Sequence, residues 1–469
     1  MKRYIILILL TVFTALLFSN STGSSTAFSG SFLQRVSGSE ALYWNPANIN
    51  RLQRTGFYSL PYVSPSPTHP RSFFTERLNH ELLILPYSIS LENNALSLDL
   101  YNSFAGELIN DSHRRKISKS IDKSLFTSFN LNTIFIGYTY KNYAFSTAIN
   151  AVGKGHVDKE FVDILLYGNK ITTLDDEVRL DHTFDKEHNK FGALAYQDYS
   201  LGYGGYRLND LYPAYLDEYP SIYGGISMSY LAGYSHIETI DFKGELSSHE
   251  EEGLYLDQQI VVREALKRPE GGDNMPSVGV FGSGFKMSIG FSSDVIEIAT
   301  DHYMSFGLAF DNMFGFLKWN KETRKTYYSV LIDTVHIKDL EEDLIIDKEY
   351  SEDISSYTTK LPFVTRFGVK YTYTDLVASL DYAQNHGNEK IYINDPEISL
   401  GLEYPAYYSW LPARIGFRLP IGDYQAAYSF GLGLHFKNFE TGFGYQSTGA
   451  FFTSKAKGFE LGAYMRVRY

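Results

Sequence analysis

From Gly458 to the last residue, the chain alternates between two kinds of side chain. Phe459, Leu461, Ala463, Met465, Val467 and Tyr469 fall on one side, and Glu460, Gly462, Tyr464, Arg466 and Arg468 on the other. A period of two belongs to an extended strand, because the faces of a helix recur every 3.6 residues. The same alternation fills Tyr428 to Lys437, Ala413 to Leu419 and Phe439 to Gln446, and returns upstream at Phe285 to Ser292, Met304 to Asp311, Phe363 to Thr372, Leu376 to Ala383 and Ile398 to Tyr404. A soluble β-sandwich also alternates. It does not need strands of about ten residues with aromatic ends, which are the pattern of a transmembrane barrel with an apolar outer band and a polar lumen. The 38 Tyr, 33 Phe and 3 Trp are more aromatic residues than a soluble chain of 469 readily places.

The N-terminus sets the compartment. Met1-Lys2-Arg3 precedes an apolar run from Tyr4 to Phe18, then a small polar tract from Ser19 to Thr26 and Ala27, the layout of a signal peptide (residues 1–27) cleaved near Ala27. The run is shorter than the ~20 residues a spanning helix needs. No second run of that length follows, so membrane residence has to be as strands, in the outer membrane of a diderm bacterium. The absence of Cys excludes disulfide scaffolds, zinc fingers, iron–sulfur sites, thiol catalysis and a lipoprotein signal. The net charge of -12 argues against nucleic acid as a partner.

The connections test the barrel. Counting back from Tyr469, the turns at Lys437-Asn438, Tyr373 to Asp375, Ser293 to Asp301, Asn209 to Pro220 and Lys141-Asn142 share one side. The longer connections at Gly449 to Lys457, Pro420 to Gln425, Asn385 to Asp395, Lys318 to Lys360, Ile237 to Gly279 and Gly155 to Glu187 share the other. Short periplasmic turns and long extracellular loops are the rule for such barrels. Sixteen strands result if Phe57 to Tyr62, Leu82 to Leu91 and Ala95 to Phe104 all count, and fourteen if one early hairpin belongs to a plug. The expected fold is an all-β transmembrane antiparallel barrel of about 14 strands over residues 55–469, behind an N-terminal plug of residues 28–54 that is too short for a core of its own.

Phe28 to Asn50 is rich in Gly and Ser and contains Trp44-Asn45-Pro46-Ala47. With the Gly284 to Gly290 run, the Phe310 to Trp319 stretch containing Asn312 and Gly315, and the terminal Tyr469, this segment resembles the FadL/TodX-type outer-membrane transport proteins and their PorV-like relatives. The resemblance implies a fourteen-stranded barrel, a plug containing Asn45, Pro46 and Ala47, recognition of Tyr469 by the barrel-assembly machinery, and a lipophilic small-molecule cargo. By itself, Pro46 would equally stiffen a turn before a strand.

Reading the polar side of the strands gives Lys286, Arg366, Lys370, Arg414, Arg418, Arg466 and Arg468 against Asp311, Asp381, Glu403, Glu440 and Glu460, an interior that leans basic. Arg414 or Arg418 can pair with Glu403 on the neighbouring strand. A surplus of bases at Arg366, Lys370, Arg414 and Arg418 would hold an anionic head group. Two loop segments have helical period. Val157, Phe161, Ile164 and Leu165 form one apolar stripe, either a cover for the barrel mouth or a capture groove for a lipophilic ligand. Ile117, Ile121 and Leu125 form another, among Arg114, Arg115, Lys116, Lys119 and Lys123, a basic face suited to outer-membrane lipid. Asp181, His182, Asp185, Glu187 and His188 are the densest group of potential Ca²⁺ ligands, in a segment that reads more simply as a solvated loop, so no metal or other cofactor is expected.

No nucleophile elbow, P-loop or His-x-x-x-His arrangement supports an enzyme. Two functions remain: a passive channel for hydrophobic or amphiphilic molecules such as long-chain fatty acids, and a docking or shuttle barrel for a secreted or surface protein. Within Ser128 to Tyr140 the apolar positions move from odd (Phe129, Leu131) to even (Ile134, Ile136, Tyr138, Tyr140), which marks either a β-bulge between Asn130 and Ile134 or a stretch in which Asn130 and Asn132 lie above the membrane band, where either face can be polar. By the same resemblance, a kink there would open a lateral path to lipid. Tyr464 reads as a lumen residue where Arg would be tolerated.

Overall fold

The computed structural model describes residues 22–50, 80–106, 109–167, 180–208, 220–249, 253–267, 279–335, 345–388, 390–405, 410–422, 425–436 and 438–469. Strands form where the period-two pattern demands them: β1 (His80–Asn93), β2 (Ser124–Tyr140), β3 (Tyr143–Asp158), β4 (Leu180–Phe184), β5 (Lys190–Arg207), β6 (Ile222–His249), β7 (Gly253–Ala265), β8 (Gly282–Ser293), β9 (Ile296–Ala299), β10 (His302–Trp319), β11 (Thr323–Val335), β12 (Ile345–Asp353), β13 (Tyr357–Lys360), β14 (Phe363–Tyr373), β15 (Leu376–His386), β16 (Glu397–Pro405), β17 (Pro412–Pro420), β18 (Ala427–His435), β19 (Phe439–Thr448) and β20 (Gly458–Arg468).

Fourteen of them close a ring through antiparallel pairs, in the order β1, β2, β3, β5, β6, β8, β10, β14, β15, β16, β17, β18, β19, β20 and back to β1. The seam pairs Glu81 with Arg468 and Leu91 with Phe459. His80 and Tyr469 exchange two backbone hydrogen bonds of 3.1 Å, and their rings stack at 5.0 Å. Closure leaves the ring without an edge.

Side chains alternate across the wall as expected. Leu201, Met228, Leu380, Leu400, Ile415 and Leu432 are exposed outside, while Asp198, Ser200, Ser229, Ser379, Ser399, Ser429 and Gln446 are buried inside. Tyr138, Tyr140, Tyr143, Tyr373, Tyr404 and Phe436 ring the end with the short turns, as interfacial girdles do.

The long connections do share the opposite end, but three of them are more than loops. β6 has 28 residues where ~9–11 cross a membrane. Its upper half pairs with β4 and β7, and β7 continues through β11 to β12, forming a sheet above the barrel. Phe184, Phe242, Leu246, Leu254 and Ile332 make its core. Of the early strand candidates, Leu82 to Leu91 lies within β1. Ala95 to Phe104 instead contains the helix α1 (Leu98–Asn102), and Phe57 to Tyr62 lies outside the described residues.

The ladder from Asn130 to Ile134 is regular, so the bulge expected there is absent. It lies one step on, between Ile134 and Ile136. Ile134 faces inward against Leu83 and Ala148, and Phe135, Ile136, Tyr138 and Tyr140 face out. β1 is irregular at the same level, where Leu85 has φ of 42° and the register with β20 shifts between Ile84 and Tyr87.

The N-terminal segment fills the lumen through 3-10 turns at Thr26–Phe28, Gly38–Tyr43 and Pro46–Asn48. Contrary to expectation it has a small apolar core, in which Phe28, Phe32, Val36, Ala41, Leu42, Trp44 and Ile49 pack together. It is already packed at Thr22, whose hydroxyl accepts from Trp44 Nε1 at 3.3 Å, while Thr26 donates to Glu460 at 2.7 Å. Residues 22–27 are thus seated in the lumen with the rest of the segment. Residues 1–21 and 51–54 lie outside the described residues.

Ile415 lies exposed near the middle of β17, so Ile415→Arg should lower stability by ~2–4 kcal/mol, read as the urea midpoint of folding into lipid vesicles. Tyr464→Arg should also be harmful, correcting the expectation from sequence. The Tyr464 hydroxyl joins Arg414 and Glu440, each at 2.8 Å, and a third guanidinium would sit beside Arg414 and Arg466.

Candidate functional site

Asn45, Pro46 and Ala47 form one anchor of the plug. Asn45 caps the Pro46–Asn48 turn, its Oδ1 accepting from Ala47 N at 3.2 Å while its Nδ2 donates to Phe291 O at 3.0 Å. The turn lies flat on the wall because β5, β6 and β8 present Gly204, Gly225 and Gly290 there. A Cβ on Gly204 or Gly225 would overlap the Pro46 carbonyl, and one on Gly290 would overlap Asn45 Oδ1. These glycines serve close approach.

The second anchor is electrostatic. Glu40 is fully buried and bonds Arg466 of β20 at 2.6 Å, with Ser24 also bonded to that guanidinium. Arg35 meets Glu403 at 3.8 Å and Ser379 at 2.8 Å. Glu40 and Arg35 are the two charges of residues 22–50, which was the signal available in sequence.

The four bases expected to hold an anion are committed to the wall or buried in it. Arg366 pairs with Asp311. Arg414 donates to Glu403 at 2.7 Å, the cross-strand pairing expected, and to Tyr464. Arg418 donates to Glu92 at 2.8 Å and lies 3.8 Å from Glu397. Lys370 is 5% exposed on the inner face of β14, between Ser305 and Ser379 in register. Glu40, Glu81, Glu92, Asp198 and Glu397 are inward acids that the strand reading missed, so the interior is not basic.

Above the plug lies a cavity of about 180 Å³. Leu42, Tyr43 and Trp44 form its floor, Asn130, Asn132, Asn150, Val152 and Tyr196 one wall, and Asp311, Arg366 and Arg418 the other. Its roof comes from the β15–β16 connection, which crosses the lumen. Ile391 and Tyr392, 1% and 3% exposed, pack against Leu194, Tyr196, Leu231 and Trp319 of the opposite side. Lys154 Nζ donates to Tyr392 O at 3.2 Å, Asn388 to Glu238 at 2.9 Å, and Lys390 to Thr239 O. The apolar triplet Ile391-Tyr392-Ile393 in a polar connection was the legible trace of this roof.

Of the apolar stripe at 157–165, Phe161, Ile164 and Leu165 lie on a helix, α3 (Lys159–Tyr167), beside α2 (Asp111–Ser120), whereas Val157 belongs to β3 and pairs with Leu125 of β2. Phe161 and Ile164 pack onto the core of the upper sheet and Leu165 is exposed, so the stripe covers that sheet and forms no groove. Burial pushes the Asp163 carboxyl up, against Ser118 and Lys159. The His and carboxylate group at 181–188 divides. Asp181 accepts from Ser247, Asp185 pairs with His188, and His182 turns to Asp158 at 3.2 Å and Glu160 at 3.9 Å. Asp158, Glu160 and His182 lie within 4.8 Å of one another and could share a cation, although Asn189 already donates to Asp158.

No protein-family model matches the sequence, and no curated protein matches it. Solved structures similar to it include the toluene transporter TodX of P. putida, at 10% identity and TM-score 0.44 over 95% of this chain and 97% of that one. A FadL homologue of Pseudomonas aeruginosa matches at 11% and 0.42 over 97% and 99%, and the monoaromatic hydrocarbon channel CymD at 9% and 0.37 over 92% and 91%.

Glu40→Gln should cost about 3–5 kcal/mol, because it leaves Arg466 buried with one carboxylate fewer. A lowered thermal midpoint checks this. Gly225→Val should unseat the Asn45 turn and make the N-terminal segment protease-sensitive in the folded barrel, where the parent protein is protected. The raised Asp163 favours the neutral acid in the fold. Its contribution is therefore present at low pH and lost as pH rises through the folded value. Hydrogen exchange of α2 and α3 should speed up over that window, and Asp163→Asn should abolish the pH dependence.

Proposed function

We propose that the protein is an outer-membrane channel for small hydrophobic or amphiphilic molecules, gated on one side by the β15–β16 connection and on the other by the N-terminal segment. The observation that carries this reading is the cavity between those two segments, part apolar and part polar, in a barrel whose lumen the N-terminal segment occupies. Concave sites with an apolar lining and a few placed polar groups are how proteins hold small ligands. The names of the similar channels accord with it.

The roof is the smaller barrier. It is tied down by three side-chain contacts to backbone or carboxylate and by Ile391 and Tyr392, whereas the plug is seated on glycines and on buried ion pairs. The cargo therefore enters from the loop end as the roof lifts, and release toward the turn end requires the plug to shift. The lateral path expected at Asn130 to Ile134 has no counterpart in the regular ladder there. The sheet above the barrel gives a docking role a surface, without a segment that marks a partner.

Replacing residues 388–394 by a Gly/Ser linker should raise the permeation of a lipophilic probe into proteoliposomes several-fold. Permeation equal to that of empty liposomes, for parent and variant alike, would refute the channel.

A further inference from the structure

The cavity wall carries three bases and six carboxylates. Lys286, Arg366 and Arg418 are the bases, and Glu92, Asp311, Asp381, Asp395, Glu397 and Glu460 the acids. Every base is already paired: Lys286 with Asp198, Arg366 with Asp311, and Arg418 with Glu92 and Glu397. An entering anion would meet a net negative wall and would have to break a buried pair to find a counter-charge, which leaves a carboxylate uncompensated.

Unmet hydrogen-bonding capacity on the lining residues includes acceptors at Asp381 Oδ1 and Gln425 Oε1, the Tyr392 hydroxyl, and an amide pair that offers a donor and an acceptor together. Asn132 and Asn150 face each other across β2 and β3, and Asn132 Nδ2 donates to Asn150 Oδ1 at 2.7 Å. Asn132 Oδ1 and Asn150 Nδ2 are then buried without a partner. Flipping both amides exchanges the roles but still leaves one donor and one acceptor. An unmet buried polar group is costly, and a ligand that meets it recovers that cost. Val152 and Tyr196 beside the pair, with Ile391 of the roof, supply apolar surface for the rest of a ligand. The volume of about 180 Å³ is close to the ~150 Å³ that accommodates benzene in an engineered cavity.

We infer that the cavity selects uncharged molecules of single-ring size that carry one hydroxyl, recognised by the Asn132–Asn150 amide pair, and rejects carboxylates. The inference rests on the channel reading and names its substrate class.

Calorimetric titration of the folded barrel in detergent with benzyl alcohol, benzoate, benzylamine and toluene tests it. Benzyl alcohol should bind best, with benzoate, which carries a charge and lacks the hydroxyl donor, weaker by at least about tenfold. Asn132→Val combined with Asn150→Val should weaken benzyl alcohol by about tenfold and leave toluene unchanged, a split that general damage to the fold would not produce. Benzoate or benzylamine binding as tightly as the alcohol, equal losses for alcohol and toluene in the double variant, or no binding of any of the four overturns the inference. Permeation of toluene into proteoliposomes decides the channel reading separately, whichever of these results is obtained.

Discussion

A chain in hydrocarbon has no water to satisfy its backbone, so each amide on the wall must bond to a neighbouring strand and the last strand must find the first. The β1–β20 seam meets this condition, and the rest of the molecule depends on it. Fourteen strands set the circumference, which sets the bore, and the bore is wide enough to need filling. The N-terminal segment supplies that filling.

The filling is held by shape and by charge. Glycines on β5, β6 and β8 let the Asn45-Pro46-Ala47 turn touch the wall backbone, and Glu40 and Arg35 extend a network through Arg466, Glu81, Arg468, Glu440, Tyr464, Arg414 and Glu403. Such a network keeps inward charges in the lumen without leaving any one of them alone. It also consumes Arg414, while Asp311 holds Arg366 and Glu92 holds Arg418, so the guanidinium groups that sequence reading assigned to a ligand are spent. The amide pair of Asn132 and Asn150 and the apolar surface of Val152, Tyr196 and Ile391 lie apart from this network, beneath the folded-over β15–β16 connection.

Much of the wall was legible in the sequence. The alternation at 413–419, 428–436, 439–446 and 458–469 maps onto β17 to β20 residue by residue, with Tyr464 and Arg466 inside and Met465 and Val467 outside. The odd-to-even slip in β2 was a true sign of a bulge, misplaced because Ile134 is apolar yet points inward to meet Leu83 and Ala148. Beyond the membrane β7, β11 and β12 were hidden, because a sheet wetted on one face and packed on the other has no uniform lipid-facing stripe.

By itself, then, the sequence determined the barrel, its inside and outside, and the end at which the long connections lie, since a period of two is a local property that lipid and lumen read directly. Only the tertiary structure decided which charges are spent on each other and what the lumen can still bind. Glu40 and Arg466 are 426 positions apart, Ile391 reaches Leu194 across the bore, and Asn132 meets Asn150 only because β2 and β3 pair in one register. Contacts of that kind depend on ring closure, which no short stretch of sequence encodes.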